Sequence, residues 1–285
     1  MMMVNKHMTL NGKSIYVKSF GNGDPIVFLH GGPGGSHEFF LPFAERLAAD
    51  HTVILYDQAG CGRSGAALSD RYSIGDEVGN LEALREELGL ERMHLFGESW
   101  GSMLALSYAA EYPSHVDRIM LTAAIGLTNE AYAAFQTELL QKPGTFKKIK
   151  FMVNGMLHTL GINRTKQILH LLDPYYVYSQ DTLKKKKHIP YNDVVQSKIS
   201  KDIKKSYNLL PHVKTLSNIP ILIAQGSHDI LTPLHMERFF KEHLPHVEIV
   251  EIGESGHWTV LEQPGEMASV ASFFFMHEGS SFTIK

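Results

Sequence analysis

The sequence predicts an α/β protein, with a mostly parallel central sheet, helices on both faces and an inserted all-helical cap. Three observations carry this expectation. Short apolar runs suited to strands covered on both faces alternate with segments of helical periodicity, first over residues 13–126 and again over 216–285. Between them, roughly 90 residues show helical spacing alone, far too long for a structureless loop in a compact domain. That interval also differs in charge: from Thr128 to Thr215 there are 14 Lys and one Arg against six Asp and Glu, although the whole chain has a net charge of −3. The expected division is a core of residues 1–126 and 216–285 and a cap of 127–215.

Residues 13–20 alternate as a strand does, Gly21 to Pro25 turns, and 26–29 is a wholly apolar strand. It ends in His30-Gly31-Gly32-Pro33-Gly34-Gly35, where glycines let the backbone approach a ligand and leave amide donors at the strand end. A helix over 38–49 and a strand over 52–56 lead to a second glycine-rich turn, Asp57-Gln58-Ala59-Gly60-Cys61-Gly62-Arg63-Ser64, and a helix follows over 74–88. The strand 93–96 meets Gly97-Glu98-Ser99-Trp100-Gly101, a helix spans 100–112 up to Pro113, and a strand covers 116–123. In the cap, apolar residues recur at helical spacing: Tyr132, Phe135, Leu139 and Leu140; Ile149, Met152, Val153, Met156 and Leu157; Ile168, Leu169 and Leu172; Val194, Val195, Ile199 and Ile203. These stripes are expected to pack into a core. Strands return over 219–224 and 247–252, with helices over 235–244 and 264–277 and a frayed polar tail at 278–285.

The chemistry concentrates at three turns. A serine hydroxyl needs a base to become a nucleophile at neutral pH, and the base needs an acid to orient it. In an open parallel sheet such groups gather beyond the C-terminal ends of the strands. Ser99, Asp229 and His257 each lie just after a predicted strand, in the order Ser, Asp, His. The strand over 116–123 runs into Ala124-Ile125-Gly126 without a carboxylate, which leaves Asp229 as the acid. The amide of Trp100, at a helix N-terminus, stands beside Ser99 where negative charge would develop. Glu98 occupies the variable position of the turn and is expected to be structural. His30, and Asp57 with Arg63, are expected to hold loops, His228 to point away from Asp229, and Cys61 to be inert.

On these motifs the chain resembles the α/β-hydrolases, and within them the proline iminopeptidase (prolyl aminopeptidase) branch. The matching stretches are His30 to Gly35, Asp57 to Ser64, Gly97 to Ser102, Gly226 to Asp229, and Gly256-His257. The resemblance implies an α/β-hydrolase fold and a cofactor-free serine hydrolase with Ser99 as nucleophile, His257 as base and Asp229 as its orienter. It also implies an oxyanion hole of the Gly32 and Trp100 amides; Gly31 and Trp258, beside these groups in the chain, are expected at the substrate pocket. The chain departs from the branch at the acids that hold a substrate amine. It has no Asn-Gly-Pro-x-Glu-Phe cap segment, and Ile230 rather than an acid follows Asp229; a cap glutamate such as Glu130 would have to serve that task. The pair His257-Trp258 also occurs in carbon-carbon bond hydrolases. The reading is hydrolysis of a small carboxylic ester or amide through an acyl-enzyme. The alternatives are a proline iminopeptidase-type aminopeptidase, a carbon-carbon bond hydrolase, and a non-catalytic relative that binds a ligand or partner.

Composition narrows the rest. Hydrophobic residues at 44% and charged residues at 20% describe an ordinary globular chain. A single cysteine builds neither an intramolecular disulfide nor a cysteine-based zinc site, and the 16 histidines form no His-Glu-x-x-His pattern, so neither metal nor cofactor is expected. The run Lys184 to Lys187 is expected to be a solvated face rather than a nucleic-acid site. No apolar run is long enough to span a bilayer and the N-terminal residues lack a signal-peptide pattern. A cytoplasmic protein with no membrane partner is therefore expected, acting on a small molecule that the cap's positive charge would favour as an anion.

Overall fold

In the computed structural model, which describes residues 4–67, 71–185 and 191–276, the apolar runs form one eight-stranded sheet. Its strands are β1 (Val4–Leu10), β2 (Lys13–Gly21), β3 (Asp24–Leu29), β4 (His51–Tyr56), β5 (Met93–Glu98), β6 (Val116–Thr122), β7 (Ile221–Gly226) and β8 (Glu248–Ile252), in the order β1-β2-β4-β3-β5-β6-β7-β8. The pairs β1–β2 and β2–β4 are antiparallel and the others parallel. β4, β5 and β7 are buried at every position, which is why their sequences are nearly unbroken apolar runs. Alternate side chains face opposite layers. Val27, Leu95, Leu121 and Ile223 belong to one core; Ile26, Phe28, Phe96, Met120 and Leu222 belong to the other, beneath the C-terminal helix. β1 goes beyond the strands predicted: among its described side chains, Met8 and Leu10 alone are buried, too weak a pattern to announce a strand.

The long helices are α1 (Ile74–Glu87), α2 (Trp100–Glu111), α3 (Asn129–Gln141), α4 (Thr145–Thr159), α5 (Thr165–Leu172), α6 (Asp193–Ser206) and α7 (Pro264–Met276). Ser73, Thr128 and Asn192 cap α1, α3 and α6 by accepting from first-turn amides. The predicted helix over 38–49 is instead three short turns, His37–Phe40, Leu41–Ala44 and Glu45–Leu47, because Pro42 supplies no amide to carry a continuous ladder. The predicted helix over 235–244 is one α-turn, Pro233–Met236, followed by a π-helical turn, Glu237–Lys241.

Between β6 and β7 the described chain is helical and contains no strand. Its stripes behave differently from one another. Tyr132, Phe135, Leu139, Val195, Ile199 and Ile203 are buried as expected, but Leu140 of α3, Val194 of α6 and Ile149, Met152, Val153 and Met156 of α4 face solvent. The inward side of α4 is the less apolar one, with Phe151, Asn154 and His158 half-buried. Lys184 is exposed and paired with Asp181 at 2.6 Å, whereas Lys186, Lys187 and the tail 278–285 lie outside the described residues. Among the described residues, no helix is long and apolar enough to cross a membrane.

At the N-terminal rim of the sheet, His51 and His94 are buried against Phe275, whose ring stacks on His94 at 4.9 Å. Neither ring nitrogen of His51 nor Nδ1 of His94 has a hydrogen-bond partner among the described residues. Burial lowers both imidazoles, that of His94 to about 4. A histidine depressed in the fold stabilises it above the unfolded value near 6.5 and loses that contribution as pH falls toward the folded value. His94 is therefore expected to cost up to about 3 kcal/mol of unfolding free energy between pH 7 and 4. In urea titrations at the two pH values, His94→Phe should lessen this acid sensitivity; an unchanged pH slope would refute the assignment.

Candidate active site

β5 and α2 are separated by Ser99 alone, which adopts φ 54° and ψ −117°. A side chain in that region stores on the order of 1–3 kcal/mol of strain, so the flanking backbone must hold it. It does so by close approach. A Cβ on Gly101 would meet the Leu29 carbonyl oxygen at the end of β3, and one on Gly97 would meet the Gly101 carbonyl oxygen. Ser99 N–H donates to the Thr122 carbonyl (3.1 Å), while Ser102 donates to the Ser99 carbonyl through both its amide (2.9 Å) and its hydroxyl (2.6 Å). The small-residue spacing of the turn is thus a packing requirement.

The structure brings together the three residues singled out in the sequence. Ser99 Oγ donates to His257 Nε2 at 2.9 Å, and His257 Nδ1–H donates to Asp229 Oδ1 at 2.7 Å. The carboxylate can only accept, so the proton sits on Nδ1 and Nε2 is free to receive. Asp229 is oriented in turn by the Ile230 amide at Oδ1 (2.5 Å) and by Gln225 Nε2 at Oδ2 (2.8 Å). Burial works against a charged His257, but the nearby Asp229 and Glu98 carboxylates outweigh it and raise the imidazole above its ordinary value.

Gly31, Gly32, Ser99, His257 and Trp258 line a cavity of about 160 Å³. It adjoins a second one of about 430 Å³ that also touches Gly32, Ser99 and Trp100. The Trp100 amide opens α2, where no intrahelical acceptor exists for it. The indole of Trp100 donates to Gln58 Oε1 (2.8 Å), and Gln58 Nε2 donates to the His30 carbonyl (2.9 Å). His30 Nε2 accepts from the Gln58 amide (3.1 Å), and burial lowers this imidazole. Both residues thereby tie the glycine loop to the elbow. Asp57 accepts from the amide and Nδ1 of His37, each at 2.8 Å, and from the Arg63 amide at 2.8 Å. Burial pushes its carboxyl up, but the His37 contacts reverse the shift and hold it low. The Arg63 guanidinium meets Tyr16 and Glu38 instead. His228 bonds Ser227 away from the site, and Cys61 is buried with its thiol pushed up by burial.

Further groups stand around the three. Glu98, read as structural, turns its carboxyl against Gly31 on the cavity wall, where burial raises it to about 7. Asp173 lines the same space, whereas Glu130 lies in a separate cleft beside Arg238 and Glu242. Phe135 and Tyr176 pack against the His257 ring at 5.2 and 5.1 Å. The Tyr176 carbonyl accepts from the amides of His257 (2.8 Å) and Trp258 (3.3 Å). Glu262 completes this clamp, accepting from Tyr178 (2.8 Å), Ser179 (2.9 Å) and Gly256 (2.7 Å). These partners are far apart in sequence, and only their own local composition was available to mark them. Among the described residues, no group of three His, Cys, Asp or Glu side chains is placed to hold a metal ion.

Residues 24–264 match the family described as alpha/beta hydrolase fold. A proline iminopeptidase of Levilactobacillus brevis is 28% identical over 260 residues, covering 84% of each chain. One of Lactobacillus helveticus is 43% identical over 105 residues, which cover 35% of this chain and 36% of that one. Among solved structures, the proline iminopeptidase of Mycobacterium smegmatis superposes with a TM-score of 0.71 at 23% identity, covering 96% of this chain and 98% of that one, a likeness of fold.

Glu98 and His257 share one buried space, so their titrations are coupled. Glu98→Gln removes a negative charge that favours the imidazolium, and His257 is expected to titrate at lower pH. Nitrogen-15 NMR of the imidazole checks this; an unmoved midpoint would show that the Glu98 charge does not reach His257.

Proposed function

The chain belongs to the alpha/beta hydrolase fold family and is a hydrolase, and we propose that it cleaves small carboxylic esters or amides through an acyl-enzyme on Ser99. The observation that carries this reading is the unbroken hydrogen-bond path from Ser99 Oγ through His257 to Asp229. In the proposed reaction, Nε2 of His257 takes the hydroxyl proton as Oγ attacks the substrate carbonyl carbon. The tetrahedral oxyanion is received by the Gly32 and Trp100 amides, each such donor being worth on the order of a hundredfold in rate. Asp229 stabilises the imidazolium, which passes its proton to the leaving alcohol or amine. A water then gives its proton to His257, attacks the acyl carbon, and releases the acid and the free serine. Residues 127–215 act as the cap over this space, with Phe135 and Tyr176 shielding His257 from solvent.

The smaller cavity bears on the substrate. Its described lining includes Glu98 and Asp173 but no Lys or Arg, whereas Lys204 lines the larger cavity, which also touches Ser99. The carboxyl-bearing wall of the smaller space suits a neutral or amine-bearing acyl group better than an anion. This favours, as a second reading, the aminopeptidase activity named for the relatives, with Glu98 rather than Glu130 facing the substrate's amine.

A fluorophosphonate probe is expected to label Ser99, and Ser99→Ala to abolish both labelling and p-nitrophenyl acetate turnover. Asp229→Asn should lower kcat by about 10⁴-fold by leaving the imidazole in the wrong tautomer. Labelling that survives Ser99→Ala would sink the proposal. For the second reading, proline β-naphthylamide should be hydrolysed with a KM that rises in Glu98→Gln while short acyl esters are affected less; a uniform loss on both substrates would remove Glu98 from amine recognition.

A further inference from the structure

The outward face of α4 is apolar where a surface helix is ordinarily polar. Phe146, Ile149, Met152, Val153, Met156 and Leu160 fall on one continuous arc and are between 46% and 70% exposed. The opposite side, with Phe151 and His158, lines the cavity that reaches Ser99. Ile162, just past the helix, extends the exposed patch. Residues 142–172 carry six Lys and Arg and no Asp or Glu. At 100° per residue, Lys148 and Lys150 stand on the two edges of the apolar arc, and the Lys150 ammonium lies 4.8 Å from the Phe146 ring. The carboxylate that approaches α4 does so from inside, Asp193 at His158.

We infer that α4 lies flat on an anionic phospholipid surface, its apolar arc among the acyl chains and its flanking lysines at the headgroups. A helix of 15 residues is about 22 Å long, and with lysines along it, it lies in the interface plane rather than crossing it. Charge decides between the two apolar occupants available. A second copy would press one acid-free cationic face against another, whereas an anionic bilayer supplies apolar depth and opposite charge together. Docked this way, the cavity is one helix diameter, about 10 Å, from the lipid. The inference holds whatever bond Ser99 cleaves.

The test is sedimentation of the full chain with vesicles of phosphatidylcholine containing about one-third phosphatidylglycerol, against vesicles of phosphatidylcholine alone. Binding to the anionic vesicles is expected, weaker by about tenfold or more on neutral ones and in high salt. Met152→Glu and Met156→Glu should each lower vesicle binding by about tenfold or more, since each places a charge in the buried arc. Turnover of a soluble ester and the thermal midpoint should stay unchanged in both variants. Absence of binding to anionic vesicles, or binding that both variants retain, overturns the inference. A concentration-dependent dimer abolished by Met152→Glu, without vesicle binding, would assign the face to a second copy instead.

Discussion

The contact on which the site depends is the approach of the α2 backbone to the ends of β3 and β5. Gly101 sits where any side chain would strike the Leu29 carbonyl, and Gly97 sits where one would strike Gly101. That proximity forces Ser99 into a conformation that few side chains adopt, and the Thr122 and Ser102 contacts hold it there. The consequence is directional. The Ser99 hydroxyl is aimed at His257 and at the cavity that both Ser99 and Trp100 border. A looser turn would return the serine to ordinary helix geometry and point its hydroxyl elsewhere.

Around that turn, charge is arranged among buried side chains. Asp229 receives two donors besides His257, so its carboxylate has a fixed orientation and does not compete for the serine. Glu98 adds a second carboxyl within electrostatic range of His257, held by burial near the pH at which it changes charge. A buried acid against an imidazole is a sensitive arrangement, because in a low-dielectric space each group sets the protonation of the other. The chain between α5 and α6 contributes through its backbone: the Tyr176 carbonyl accepts from the His257 and Trp258 amides, and the Tyr178 and Ser179 amides donate to Glu262, which also holds the Gly256 amide.

The core strands and the three converging side chains were legible because their signals are local. A fully buried parallel strand must be apolar throughout, and a tight turn at its end must be small, so β4, β5 and β7 and the residues just beyond them are marked in the chain itself. The helix over 38–49 was misread although its correction was in view, since Pro42 lies within it. The placement of Glu98 was not legible for a different reason. Its position in the turn is ordinary, and what gives it meaning is Gly31, 67 residues earlier, leaving room for its carboxyl.

Periodicity in the cap established that helices form there, and it could not say which way they face. Most of the stripes of α3 and α6 meets other elements and is buried, with Leu140 and Val194 left exposed, whereas the stripe of α4, equally apolar in sequence, points outward. An apolar arc has the same spacing whether it is covered by protein or left for another surface. The sequence by itself determined the order of strands along the chain, the sharp turns at their ends and the kind of chemistry those turns can carry, because each follows from neighbours a few residues apart. The tertiary structure alone decided which carboxyl reaches the cavity, what braces His257 and which helix face remains uncovered, because these depend on contacts between segments that no local spacing connects.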